Sequence, residues 1–329
     1  MRRTIGRLLN LAGAYVTFEG AFAMLFLASR DVHETLATQQ NKGFPGHSLS
    51  KVVRYKHYSV THEIEDGIER ITYRPHEPKH ETPIVMQHGM WHGAWCWERW
   101  QRILAEQGWT SYAHSLPGHA LSPAQRPIPF CTLDYYLSFL KRELDRCERK
   151  PILMGHSMGG ALTQWYLKYV DDTLPAAVLV GPWVFDATFG TLLDLGLDEL
   201  PSIVLESALA WSAAPWVRTP QRAANVLISL NAAVTPEELH AHLGPESALV
   251  LIQHNPPFWT PPERVRCPVL LVAGALDTVC PPKHMKRTAQ HYGAEMIVDA
   301  GSAHNLMMDG DYAGTAHSIE AWLTAQNIP

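Results

Sequence analysis

The 329-residue chain has no basic surplus: 27 Lys and Arg face 32 Asp and Glu, a formal net charge of -5. A nucleic-acid binder normally carries a basic domain or stripe, so that class is excluded. The cysteines are few and unpaired in pattern. Cys96, Cys131, Cys147, Cys267 and Cys280 are odd in number and scattered, with no C-x-x-C, which excludes a disulfide scaffold and a Cys-type zinc site. Such usage suits a reducing compartment, and a cytoplasmic location is expected. Charged residues make up only 18% of the chain against 46% hydrophobic, so a disordered chain is excluded and a large core is expected. No internal repeat or low-complexity tract is visible.

The first residues are unlike the rest. Arg2, Arg3 and Arg7 precede an apolar run from Leu8 to Ala28 that holds one ionisable residue, Glu19. The run is long enough to span a bilayer, and its basic start fits a signal peptide, but Glu19 in the middle weakens both readings. Gly6, Gly13 and Gly20 recur on one helical face with Asn10 and Thr17 between them. This favours an apolar helix packed on protein, across a homodimer, over membrane association or a cleaved signal. Residues 29–50, polar and punctuated by Gly43, Pro45 and Gly46, read as a linker.

From about residue 52, short apolar runs alternate with helical patterns. Strands are predicted at Ile68 to Tyr73, Pro83 to Gln87, Thr110 to His114, Pro151 to Met154, Ala176 to Val180, Pro268 to Ala273 and Glu295 to Val298. Between them, Leu133, Tyr136, Leu137, Leu140 and Leu144 share one helical face, with Thr132 as N-cap. Apolar strands separated by helices imply an α/β fold, a mostly parallel central sheet with helices on both faces. Between Trp183 and Arg264 the rhythm breaks into Leu-, Trp- and Pro-rich helical stretches. The expected organisation is an N-terminal helix and linker at 1–50, an α/β core at 51–182 and 265–329, and a helical cap at 183–264.

Gly155-His156-Ser157-Met158-Gly159 follows a predicted strand and opens a predicted helix. G-x-S-x-G in that context is a nucleophile elbow, with glycines where neighbouring backbones approach and the serine at a helix N-terminus. A serine needs a base, and the base needs an orienting carboxylate. Asp277 lies just past the strand ending at Ala273, and His304 follows the last strand. Asp299 sits too close to the strand body and His291 falls on a helix, so neither is preferred. The oxyanion hole needs two backbone N–H groups. Met158 supplies one, and Met90, directly after His88-Gly89, the other. His88, His92 and His156 lack carboxylate or Cys partners at ligand spacing, so no metal site is expected. Nor is there a cofactor fingerprint, phosphate-cradling loop or basic cluster, which disfavours CoA thioesters and phosphate-rich substrates.

These residues together resemble the α/β-hydrolase superfamily, in its large group of cap-bearing serine esterases and lipases. The resemblance covers roughly residues 52 to 326 and rests on His88-Gly89, the Leu116 to Ser122 loop, the Gly155 to Gly160 elbow, and the Asp277 and His304 pair. It implies an α/β-hydrolase fold with a helical cap inserted before the acid-bearing strand. The stretch His88 to Trp97 is also similar to plant methylesterases and hydroxynitrile lyases. The lyases generally have Thr where Gly89 stands and Lys where Asn305 follows His304, so the departures favour hydrolysis. Ser157 in place of Asp argues against epoxide hydrolases and haloalkane dehalogenases. The usual Asp near Ser115 and Gly at Ala120 are also missing, so that loop's turn is expected to differ.

The expected activity is hydrolysis of a carboxylic ester, lipophilic or a lactone, through an acyl-enzyme on Ser157. The alternatives are C–C hydrolysis or acyl transfer on the same residues, or a non-catalytic binding protein on the same scaffold. Trp91, Trp183, Phe185, Phe189 and Trp211 are candidate substrate contacts, since an apolar lid suits a lipophilic group.

Overall fold

A computed structural model describes residues 18–183 and 200–328. In chain order the elements are α1 (18–28), α2 (Val32–Thr38), β1 (Leu49–Arg54), β2 (Tyr58–Glu65), β3 (Ile68–Pro75), β4 (Ile84–Gln87), α3 (Glu98–Glu106), β5 (Ser111–His114), α4 (Leu133–Asp145), β6 (Ile152–His156), α5 (Met158–Tyr169) and β7 (Ala177–Val180). There follow α6 (Leu200–Ala210), α7 (Pro220–Leu227), α8 (Pro236–His242), α9 (Leu249–Gln253), β8 (Val269–Gly274), α10 (Pro282–Tyr292), β9 (Glu295–Asp299) and α11 (Tyr312–Ala325).

All nine strands form one sheet in the order β1-β2-β3-β5-β4-β6-β7-β8-β9. β5 to β9 are mutually parallel through β4, and β1, β2 and β3 form an antiparallel edge. The parallel strands β4, β6, β7 and β8 are buried along their length, as continuous apolar runs require. After β4 the chain crosses outward to β5, then returns past β4 to β6. Ligands of open α/β sheets bind at such a switch point, beyond the carboxyl ends of the strands. Both the loop after β4 and the turn after β6 lie there.

Two strands escaped the sequence reading. β1 is almost wholly exposed and β2 half-buried, so neither carries a strong apolar period. The hairpin that joins β2 to β3 does carry a signal. Asp66 and Gly67 both adopt positive φ, the pairing that a two-residue hairpin turn demands. Thr132 stands at the N-cap of α4, but its side chain makes no capping bond.

Residues 29–50, read as a linker, are tied down along their length. Asp31 caps α2 by accepting from the His33 and Glu34 amides. Arg30 Nε donates to Asp134 Oδ2 at 2.7 Å, and Thr35 Oγ1 donates to the same oxygen at 2.8 Å. Lys42 N donates to Gln125 Oε1 at 2.8 Å. The connection is thus a strap tied to α4 and to the loop before it. The helix before it packs within its own chain: Ala23 and Leu27 bury against Leu249, with Phe26, Trp211, Ile252 and Phe258 around them. Its other face is open, with Phe18 and Leu25 each 71% exposed. No described helix is long and apolar enough to cross a membrane.

Asp134 is fully buried, and Gln253 Nε2 of α9 donates to its second oxygen at 2.8 Å. Burial raises its pKa, but the hydrogen bond and charge of Arg30 outweigh that and hold the carboxyl below its usual range. A carboxyl with a depressed folded-state pKa contributes stability above its unfolded pKa, which is lost as pH falls through the folded value. Arg30→Ala strands this carboxylate and should cost about 3 kcal/mol near neutral pH. The difference from wild type should shrink as pH falls below the ordinary aspartate range, read by urea denaturation across a pH series.

Candidate active site

The elbow sets the site's geometry. Ser157 stands between β6 and α5 with φ 53° and ψ -114°, a conformation that costs a non-glycine residue on the order of 1–3 kcal/mol. It is held by Ser157 N donating to Val180 O at 3.0 Å and by its own carbonyl accepting from Ala161 N and Trp183 N, each at 3.1 Å. The flanking glycines are steric necessities. A Cβ on Gly159 would lie 2.2 Å from Gln87 O, and one on Gly155 would lie 2.1 Å from Gly159 O. On the facing loop, a Cβ on Gly89 would lie 2.8 Å from the Cβ of Ser157.

The structure brings Ser157, His304 and Asp277 into one hydrogen-bonded chain. Ser157 Oγ lies 2.9 Å from His304 Nε2, and His304 Nδ1 lies 2.8 Å from Asp277 Oδ2. All three residues are buried. Asp277 Oδ1 accepts from the Val279 and Cys280 amides at 2.8 Å each, which fixes the carboxylate. An ionised Asp277 requires the proton on His304 Nδ1, leaving the Nε2 lone pair for the serine O–H. The two loops meet through another glycine: a Cβ on Gly274 would lie 2.2 Å from Ala303 O.

The carboxylate passed over in the sequence, Asp299, braces the histidine loop. It accepts from Gly301 N at 2.8 Å, Ser302 Oγ at 2.7 Å and Thr315 Oγ1 at 2.9 Å. Asp309, which sequence reasoning missed, is fully buried and joins that loop to the segment after α7, accepting from Ala303 N at 2.7 Å and Ser229 N at 2.8 Å. His291 lies on α10 and contacts Pro262 O, away from the site.

Met90 and Met158 line one pocket with Ser157. Among the described residues, neither backbone N–H has an acceptor. Met158 opens α5, where amides lack intrahelical partners and the helix end is electropositive. The remaining wall is Leu133, Ala161, Trp183, Val250 and Leu251, so among the described lining residues Ser157 Oγ and the Trp183 indole N–H are the polar side-chain groups. Of the candidate substrate contacts, Trp183 is in this wall. Trp91 is not: its Nε1 donates to Ala213 O at 3.1 Å and its carbonyl accepts from Gly244 N at 2.8 Å. Trp211 faces elsewhere, 5.5 Å from the ring of Phe22 and 5.9 Å from that of Phe130. Phe185 and Phe189 lie outside the described residues. The four aliphatic lining residues were missed because an apolar side chain in a wall has the same sequence signature as one in a core.

His88, His92 and His156 each make hydrogen bonds within the protein. His88 accepts from Leu116 N at 3.0 Å, and His156 Nε2 donates to the His304 carbonyl at 3.0 Å. The one described set of donors close enough for a metal is Asp277, Cys280 and His304. A metal there would displace the Asp277–His304 bond, and burial pushes the Cys280 thiol well above its usual pKa, away from the thiolate. A larger groove lined by Arg70, Arg74, Tyr112 and Arg146 contains none of these residues.

Residues 84–317 match the alpha/beta hydrolase family, and the chain belongs to that family. Among curated proteins it is similar to a pyrethroid hydrolase of Sphingobium wenxiniae, 27% identical over 33% of this chain and 40% of that protein. It is also similar to methylesterase 1 of Arabidopsis thaliana, 30% identical over 40% of this chain and 46% of that protein. The matches thus span less than half the length of these relatives. A solved monoacylglycerol lipase of Paleococcus ferrophilus has the same fold, with a TM-score of 0.55 at 19% identity over 79% of this chain and 99% of that one.

Gly159 is the glycine that sets the spacing between α5 and β4. Gly159→Ala sets a methyl group against the backbone of β4, so either the strand or α5 must move. The expected loss is about 3 kcal/mol or more, the upper range for an overpacked core, measurable by thermal or urea denaturation.

Proposed function

We propose that this chain is a carboxylic ester hydrolase that works through an acyl-enzyme. The observation that carries this reading is the buried hydrogen-bonded chain Ser157–His304–Asp277, beside an apolar pocket that Met90 and Met158 also line. Ser157 Oγ attacks the acyl carbonyl carbon while its proton passes to His304 Nε2. Asp277 keeps the imidazole oriented and stabilises its charged form. The Met90 and Met158 amides bind the oxyanion of the tetrahedral intermediate. Collapse expels the alcohol, which takes the proton from His304. Water then attacks the acyl carbonyl carbon while giving a proton to His304, and collapse breaks the acyl–Oγ bond, His304 returning that proton to Ser157 Oγ as the acid leaves. Each step uses the chain's own residues, with no cofactor or metal.

The wholly aliphatic and aromatic wall around Ser157 favours a small lipophilic ester, a lactone included, over a charged one. The names of the hydrolase and esterase relatives support the same reading. Residues 183–264 would then act as the cap over a core of 51–182 and 265–329. C–C hydrolysis or acyl transfer would use the same residues; a binding protein would leave them idle. A panel of p-nitrophenyl esters graded by acyl length separates these readings. Wild type should hydrolyse the panel, and Ser157→Ala should remove nearly all of that activity while folding normally. Asp277→Asn should lower kcat by roughly 10⁴-fold by favouring the wrong His304 tautomer. Wild type inert to every ester, or Ser157→Ala within tenfold of it, overturns the proposal.

The reading extends to α1. Its inner face packs on α9, while Phe18, Phe22, Met24 and Leu25 are exposed. Arg2, Arg3 and Arg7 precede this helix in the chain, and their charge complements an anionic lipid surface. The outward face is proposed to rest on a membrane surface that holds lipophilic esters, in preference to a second copy of the chain. The full chain should sediment with vesicles containing anionic lipid, and Leu25→Asp should weaken this without changing hydrolysis of a short soluble ester. A stable dimer in light scattering that Leu25→Asp dissolves, with no vesicle binding, would assign the face to a homodimer instead.

A further inference from the structure

A buried histidine in the loop after β4 has no part in the proposed chemistry, yet it joins the two loops that do. His92 Nδ1 lies 2.6 Å from the carbonyl oxygen of Met90, and its Nε2 lies 3.0 Å from Asn305 Nδ2. Met90 is the proposed oxyanion donor, and Asn305 directly follows His304. We propose that His92, held by Asn305, is a positioning residue that aims the Met90 amide at the reacting carbonyl. The inference rests on the ester-hydrolysis reading above.

The protons can be assigned from these contacts. A carbonyl oxygen only accepts, so the short contact to Met90 O requires the proton on His92 Nδ1. Burial lowers the His92 pKa to about 4, with the Met90 carbonyl opposing and the nearby His304 and His119 adding to the fall. The ring is therefore neutral, and Nε2 is an acceptor. Asn305 must then present its amide N–H₂, not its oxygen, to the ring. The ring is further confined by Trp95, stacked at 5.2 Å, and by the edge of His156 at 5.7 Å.

This grip matters because the backbone it holds is not at rest. Trp91, the next residue, has φ 64°, a conformation uncommon for a bulky side chain. Without the His92 bond, the peptide between Met90 and Trp91 can rotate toward a lower-energy conformation. The Met90 N–H, on the other side of the same Cα, then loses its aim. Asn305 ties the arrangement to the base, so the oxyanion donor and His304 are placed by one rigid unit. A histidine that merely fills the core would be replaceable by a ring of similar volume.

The test uses the full chain, p-nitrophenyl butyrate as substrate and a trifluoromethyl ketone, whose adduct with serine bears an oxyanion. His92→Phe should lower kcat by roughly 10–100-fold, short of losing an oxyanion donor outright. KM should stay within about twofold, and the inhibition constant of the ketone should rise by the same factor as kcat falls. His92→Asn can place its amide N–H where Nδ1 stands and should recover most of kcat. His92→Gln reaches toward Asn305 instead and should not. If His92→Phe does not fold, the contrast between Asn and Gln decides. Equal kcat for Asn and Gln, or a folded His92→Phe within twofold of wild type, overturns the inference alone. Wild type inactive on every ester overturns the reading beneath it as well.

Discussion

The site depends on how closely three backbones can approach where β4, β6 and α5 meet. That separation is set by atoms that are missing. Gly159 lies against the carbonyls of Gln87 and His88, Gly155 against the first turn of α5, and Gly89 against Ser157 itself. With those gaps closed, Ser157 is held at positive φ and its hydroxyl stands clear of the sheet. The loop after β4 then comes near enough for Met90 to line a pocket with Met158 and Ser157. A methyl group at any of these glycines would separate elements that must act over a single hydrogen-bond length. The strain at Ser157 persists because the surrounding packing is tighter than the turn is unfavourable.

A second constraint is how the described residues between β7 and β8 that line the pocket are held beside Ser157. Glu246 is fully buried and accepts from His119 Nε2 at 3.0 Å, Tyr136 OH at 3.0 Å and Ser247 N at 2.7 Å. His119 belongs to the loop after β5 and Tyr136 to α4, so one carboxylate draws together three parts of the chain. Such a group adds little net stability, because burying its charge offsets most of what the bonds return. Its bonds are directional, however, and apolar contacts are not. Gln253 repeats the device, accepting from Leu133 N at 2.6 Å and donating to Asp134. The apolar lining of the pocket is thus located by polar ties just outside it.

What could be read from the sequence follows the same division. Ser157, Asp277 and His304 were legible because chemistry demands those residue types at the ends of strands, and strand ends are marked by glycine and apolar runs. The parallel strands were legible for the same reason. β1 and β2 were not, since exposed antiparallel strands need no apolar run; Asp66-Gly67 was the one mark they left. Trp211 was assigned to the substrate because a large aromatic looks the same whether it meets a ligand or another helix. Leu133, Val250 and Leu251 were invisible as pocket residues for the converse reason. The ties of 29–50 were not legible because its turn residues are visible in sequence, whereas the buried Asp134 that receives Arg30 lies 104 positions away.

The first four residues of α9 divide between two neighbours. Leu249 and Ile252 contact the N-terminal helix, while Val250 and Leu251 form part of the wall beside Ser157. The wall of the pocket and the seat of the N-terminal helix are therefore opposite sides of one short turn. A change of side chain on the face of that turn that seats α1 therefore reaches the space beside Ser157 through a single turn of backbone.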